Sequence, residues 1–74
     1  MAELPKVSGA QAIKIFERLG FRVVRQRGSH VVLRKENYGC VVPIHKELAI
    51  GTLKSAIKQA GITAEEFINT YKNR

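Results

Sequence analysis

Two short turns constrain this chain more than any other feature. Arg27-Gly28-Ser29 and Glu36-Asn37-Tyr38-Gly39 cut a strand-like stretch into three segments. The first, residues 21–26, puts Phe21, Val23 and Arg25 on one face and Arg22, Val24 and Gln26 on the other. The second, residues 30–35, carries the β-branched pair Val31-Val32. The third is Cys40-Val41-Val42, ended by Pro43. Connections this short join antiparallel neighbours, so a three-stranded meander is expected.

Helical signals flank the meander. Residues 1–7 read as a lead-in. Ser8 has the character of an N-cap, and Gln11 three residues later completes a capping box. Ala12, Ile13, Phe16 and Leu19 recur at helical spacing until Gly20. After an irregular stretch, residues 44–49, a second helix is expected over 50–60. Leu53, Ala56, Ile57 and Ala60 form its apolar stripe, and Gly61 ends it. Thr63 with Glu66 forms another capping box, and Ile62 with Phe67 a hydrophobic staple. A short last helix then runs through about Tyr71. The expected fold class is α+β, one domain over residues 1–74, with the helices covering one face of the sheet.

A chain of 74 residues buries only about 60% of the surface its unfolded form exposes, so its core must be economical. No apolar run approaches the roughly 20 residues that span a bilayer, and the N-terminus lacks a signal-peptide core. A cytoplasmic location without membrane association is therefore expected. Cys40 is the only cysteine, which excludes an internal disulfide and suits a small buried hydrophobe. The net charge of +7 points to an anionic partner. That charge is uneven: six basic and no acidic residues lie between Arg18 and Lys35, whereas residues 65–74 are neutral.

Several chemistries are excluded. His30 and His45 lie 15 residues apart without metal-ligand spacing around them. No Walker loop or dinucleotide fingerprint is present, and no cofactor is expected. Ser29 beside His30 is not a protease triad, because adjacent strand residues point to opposite faces. What remains is a histidine within a cationic field. RNA carries its own nucleophile, the 2′-hydroxyl. A histidine there could take that proton or protonate the leaving 5′-oxygen, contributing ~10²–10⁴ in rate. Arginines would hold the phosphate, Gly28 would let the backbone approach, and Ser29 could bond a phosphate oxygen. On the residues alone, two readings of His30 stand: this proton carrier, or a turn residue with a structural role. His45 has the same two readings.

A set of segments resembles a known family. Gly20-Phe21, Gly28-Ser29-His30, Val42-Pro43-Ile44-His45, Gly51-Thr52-Leu53, Gln59-Ala60-Gly61-Ile62 and Glu65-Glu66-Phe67 occur in this order. Their spacing is similar to that of the HicA-type toxins of toxin–antitoxin modules, also called the YcfA-like family, over roughly residues 8 to 70. The resemblance implies a double-stranded-RNA-binding-domain-like fold of α-β-β-β-α order, here with a short C-terminal helix. It also implies the toxin of a type II module. Such a toxin is an mRNA interferase that cleaves RNA, arrests growth and is neutralised by a HicB-type antitoxin. The family's catalytic histidine, in its Gly-Ser-His motif, corresponds to His30. His45 matches a frequent family histidine, to which positioning or RNA contact is assigned. The chain departs from the family at Ile50, where a basic residue is common.

The leading expectation is thus a metal-independent endoribonuclease, monomeric when free. His30 is its general acid or base. Arg25, Arg27, Gly28, Ser29, Arg34, Lys35 and His45 are candidates for RNA contact. Which of them converge on His30 depends on strand register. The alternative is a non-catalytic module that binds double-stranded RNA by shape. In a third reading the basic surface mainly docks an acidic protein.

Overall fold

The computed structural model describes residues 3–73; Met1, Ala2 and Arg74, which belong to the ends of the expected domain and lead-in, lie outside the described residues. The element order is α1 (Gly9–Arg18), β1 (Arg22–Arg27), β2 (His30–Lys35), β3 (Tyr38–Pro43), α2 (Ile50–Ala60) and α3 (Ala64–Lys72). The strands form one antiparallel sheet in the order β1-β2-β3. This is the α+β arrangement expected of the double-stranded-RNA-binding-domain-like class.

Local chemistry sets the helix starts. The Gln11 N–H donates to Ser8 Oγ at 3.1 Å, and the Ser8 N–H donates to Gln11 Oε1 at 2.9 Å. Thr63 and Glu66 repeat the reciprocal pair at the start of α3. Each box satisfies N–H groups that the first helical turn leaves unpaired. Gly61, in the left-handed conformation, closes α2.

One face of the sheet is packed. Val31 and Leu33 of β2 and Cys40 and Val42 of β3 join Phe16, Leu53, Ile57 and Phe67 in a single core. Phe16 is its hub, with ring centroids 5.7 Å from Phe21 in an edge-to-face arrangement and 5.5 Å from Phe67.

Two strand assignments shift. β1 begins at Arg22 because Phe21 is drawn into the aromatic cluster, its N–H bonded to the Phe16 carbonyl at 3.0 Å. The strict alternation expected for the first strand also fails. The register slips between Val23 and Arg25, so Val24 sits in a bulge. An extra residue re-aims everything beyond it. Arg22 pairs with Arg34 and Arg25 with Val32, which brings Arg22 and Arg25 to the same face. β3 is longer than expected, running from Tyr38 to Pro43 and pairing fully with β2.

Candidate active site

The register decides which cations accompany His30. Cross-strand partners share a face, and successive residues alternate between faces. Since Val31 and Leu33 face the core, His30, Val32 and Arg34 face the open side. Their β1 partners Arg27, Arg25 and Arg22 face it as well. Among the described residues, the side chains of Arg22, Arg25, Arg27 and Arg34 make no hydrogen bond or ion pair with the protein. The open face is therefore a row of uncompensated guanidinium groups, available to an anion.

These cations are not equidistant from His30. Arg27 is its direct partner on β1. Arg25 follows, opposite Val32. Arg34 and Arg22 lie four residues along the strand, about 13 Å away at the rise of a β-strand. They border a second depression together with Gly20, Val24, Lys35 and Glu36. Lys35 is engaged elsewhere: its Nζ donates to the Leu19 carbonyl at 2.9 Å, tying β2 to the end of α1. Arg25 and Arg27 thus accompany His30, Arg34 stands at the far end of the face, and Lys35 holds the scaffold.

The turn before His30 is held from both sides. Gly28 has a φ of +55°, whereas Ser29 does not enter the left-handed region, as a II′-type hairpin turn requires. A Cβ at Gly28 would meet nothing within 4 Å, so space beside the turn is open. Gln26 Nε2 donates to the Gly28 carbonyl at 3.1 Å. The Ser29 carbonyl accepts the Ile44 N–H at 2.6 Å, prolonging the β2–β3 pairing by one step.

His30 borders an open depression of about 480 Å³, lined also by Val41, Pro43, His45, Gly51, Thr52, Ser55 and Gln59. The wall supplied by α2 was not among the candidate site residues read from the sequence, although Gly51, Thr52 and Gln59 lie in segments that carry the family resemblance. Its signal is a polar stripe at Thr52, Ser55 and Gln59, set against the buried stripe of Leu53, Ala56, Ile57 and Ala60. Gln59 Oε1 accepts the Val41 N–H at 3.2 Å, occupying one donor on the free edge of β3. Ala49, the α2 N-cap, makes no side-chain capping bond, and no acidic residue lies in the first turn. The positive end of a helix dipole therefore borders the depression at Gly51-Thr52.

Neither imidazole is used structurally. Among the described residues, the rings of His30 and His45 make no hydrogen bond, and both residues are exposed. Cys40, by contrast, is buried, and desolvation pushes its thiol up to about 11. It is protonated at neutral pH and unsuited to nucleophilic attack. Among the described residues, no three His, Cys, Asp or Glu side chains gather as a metal site. No described helix is long and apolar enough to cross a membrane.

No curated protein matches the chain. A family model described as HicA toxin of bacterial toxin-antitoxin matches residues 9–62, from the first residue of α1 to just beyond α2. That span holds the whole sheet, the Gly28-Ser29-His30 turn and both walls of the depression, and the chain belongs to the HicA toxin family, in which a cognate antitoxin is the expected partner.

Proposed function

We propose that this toxin is a metal-independent endoribonuclease, an mRNA interferase, with His30 as a general acid or base. The observation that carries the reading is an exposed imidazole, free of protein bonds, on a sheet face lined with unpaired arginines. Arg27 and Arg25 hold the phosphate chain beside the histidine. The open side of Gly28 and the hydroxyl of Ser29 receive the phosphate, and the first turn of α2 adds positive potential. A guanidinium near the phosphorus also stabilises charge that grows as the 2′-oxygen attacks.

The products are a 2′,3′-cyclic phosphate and a 5′-hydroxyl, because the nucleophile belongs to the substrate. The toxin acts as a monomer in the cytoplasm, where mRNA is translated, and arrests growth. A HicB-type antitoxin of acidic character covers the arginine face.

Purified toxin incubated with RNA in EDTA tests the reading. Cleavage with cyclic phosphate ends is expected; ends bearing 3′-hydroxyl would sink the mechanism. His30→Ala should lose ~10²–10⁴ in rate while keeping its RNA affinity and melting temperature. Wild-type toxin that binds duplex RNA and never cuts it is instead a non-catalytic binding module.

A further inference from the structure

Cleavage by 2′-hydroxyl attack needs two proton transfers, and His30 alone accounts for one at a time. We infer that His45 is a second catalytic residue, which together with His30 divides the work of acid and base. The inference rests on the endoribonuclease reading and adds a group to it.

The two histidines lie 15 residues apart in sequence, but the backbone holds them as a pair. Ser29 and Ile44 immediately precede His30 and His45, and a 2.6 Å hydrogen bond joins the Ile44 N–H to the Ser29 carbonyl. One step further along the ladder, His30 is the direct partner of Pro43. The segment bearing His45 is also anchored from α1. The Gly9 N–H donates to the His45 carbonyl at 2.8 Å, and the His45 N–H donates to the Pro43 carbonyl at 3.0 Å. A Cβ at Gly9 would overlap the Pro43 carbonyl oxygen, so only glycine permits this close approach. Both backbone polar groups of His45 are therefore occupied, while its ring is not. Both His30 and His45 line the same depression. A fixed backbone with an unspent imidazole fits proton transfer, for which position matters and ring nitrogens must be free.

The step balances without a co-reactant. One histidine, neutral, takes the proton of the 2′-hydroxyl as the 2′-oxygen bonds to phosphorus. The other, protonated, gives its proton to the 5′-oxygen as the P–O5′ bond breaks. Each ring ends in the other's starting protonation state, and solvent resets both. The pair therefore cleaves with a bell-shaped dependence of kcat/KM on pH.

The experiment compares wild type, His30→Ala, His45→Ala and His45→Gln on ordinary RNA and on RNA with sulfur in place of the scissile 5′-oxygen. A thiolate leaves without being protonated. On ordinary RNA each alanine variant should lose ~10²–10⁴ in kcat/KM and one limb of the bell, the two losing opposite limbs. On the sulfur substrate the variant lacking the acid should recover most of its rate, and the variant lacking the base should not. His45→Gln retains a hydrogen-bonding side chain and should be as slow as His45→Ala. A His45→Gln variant with wild-type rate and both limbs would overturn the inference, reducing His45 to RNA contact. So would His45→Ala retaining both limbs, or neither alanine variant recovering on the sulfur substrate. An unimpaired His30→Ala would also overturn the pair, whereas a wild type unable to cut would instead sink the endoribonuclease reading itself.

Discussion

Along β2, Val31 and Leu33 are 3% and 0% exposed, while His30 and Arg34, which alternate with them, stand in solvent. The two faces of one strand thus have different work. The inner face excludes water and joins an aromatic and aliphatic core. The outer face collects guanidinium groups that repel one another and gain nothing from the fold. Charges left without protein partners do not stabilise the chain, and the proposed function assigns their arrangement to an anion that is not part of it. Stability and activity should therefore separate residue by residue along a single strand.

Leu33→Ala gives the largest expected effect on the inner face. It should cost about 2–5 kcal/mol in urea denaturation. Val32→Ala, one residue away on the outer face, should cost under about 1 kcal/mol. Equal losses would show that the two faces are not energetically distinct.

Cys40 tests the same face by pH. Its folded pKa of about 11 lies above the ordinary value of 9.0. Between these values the unfolded thiol loses its proton while the folded one keeps it. The stabilisation is full below pH 9 and is lost as the pH rises through 11, amounting to about 2–3 kcal/mol. Cys40→Ala should flatten that part of the stability curve relative to wild type. An unchanged slope would mean that the thiol is not desolvated.

Two cations of opposite faces sharpen the comparison further. Arg27→Ala should lower the salt slope of single-stranded RNA binding by about 0.7 and leave thermal stability unchanged. Lys35→Ala should do the reverse: the slope stays, and about 1 kcal/mol is lost with the bond to the Leu19 carbonyl. An unaltered melting temperature in Lys35→Ala would return that lysine to the list of RNA contacts.

The smallest effect concerns the second hairpin. Glu36 has a φ of +54°, a conformation that costs a residue with a Cβ more than it costs glycine. Glu36→Gly should stabilise by up to about 1 kcal/mol, readable as a few degrees in Tm. A lower Tm would show that Glu36 contributes by other means.

The capping boxes and the limits of α2 were legible because their signals are local, three residues apart at Ser8/Gln11 and Thr63/Glu66. The direction of the arginines was not. Alternation predicts opposite faces for Arg22 and Arg25, and a bulge at Val24 reverses this. No local pattern marks which residue of Val23-Val24-Arg25 is the extra one. Lys35 reads as one more cation of a basic run, and only its contact with Leu19, 16 residues earlier, gives it another task. His30 and His45 were each visible as residues. Their pairing required the ladder that joins Ser29 to Ile44.

The hydrogen bond from Val41 to Gln59 also bears on how crowded copies of this toxin behave. A three-stranded sheet has two edges, each able to recruit a strand from another molecule. At β3 the Val41 N–H is already taken by a side chain from α2. At β1 the edge is interrupted by the Val24 bulge and studded with Arg22, Arg25 and Arg27. One edge has a donor occupied, and the other is bent and charged. Both features disfavour edge-to-edge addition of strands, although β1 exposes Val23 and Val24 to solvent.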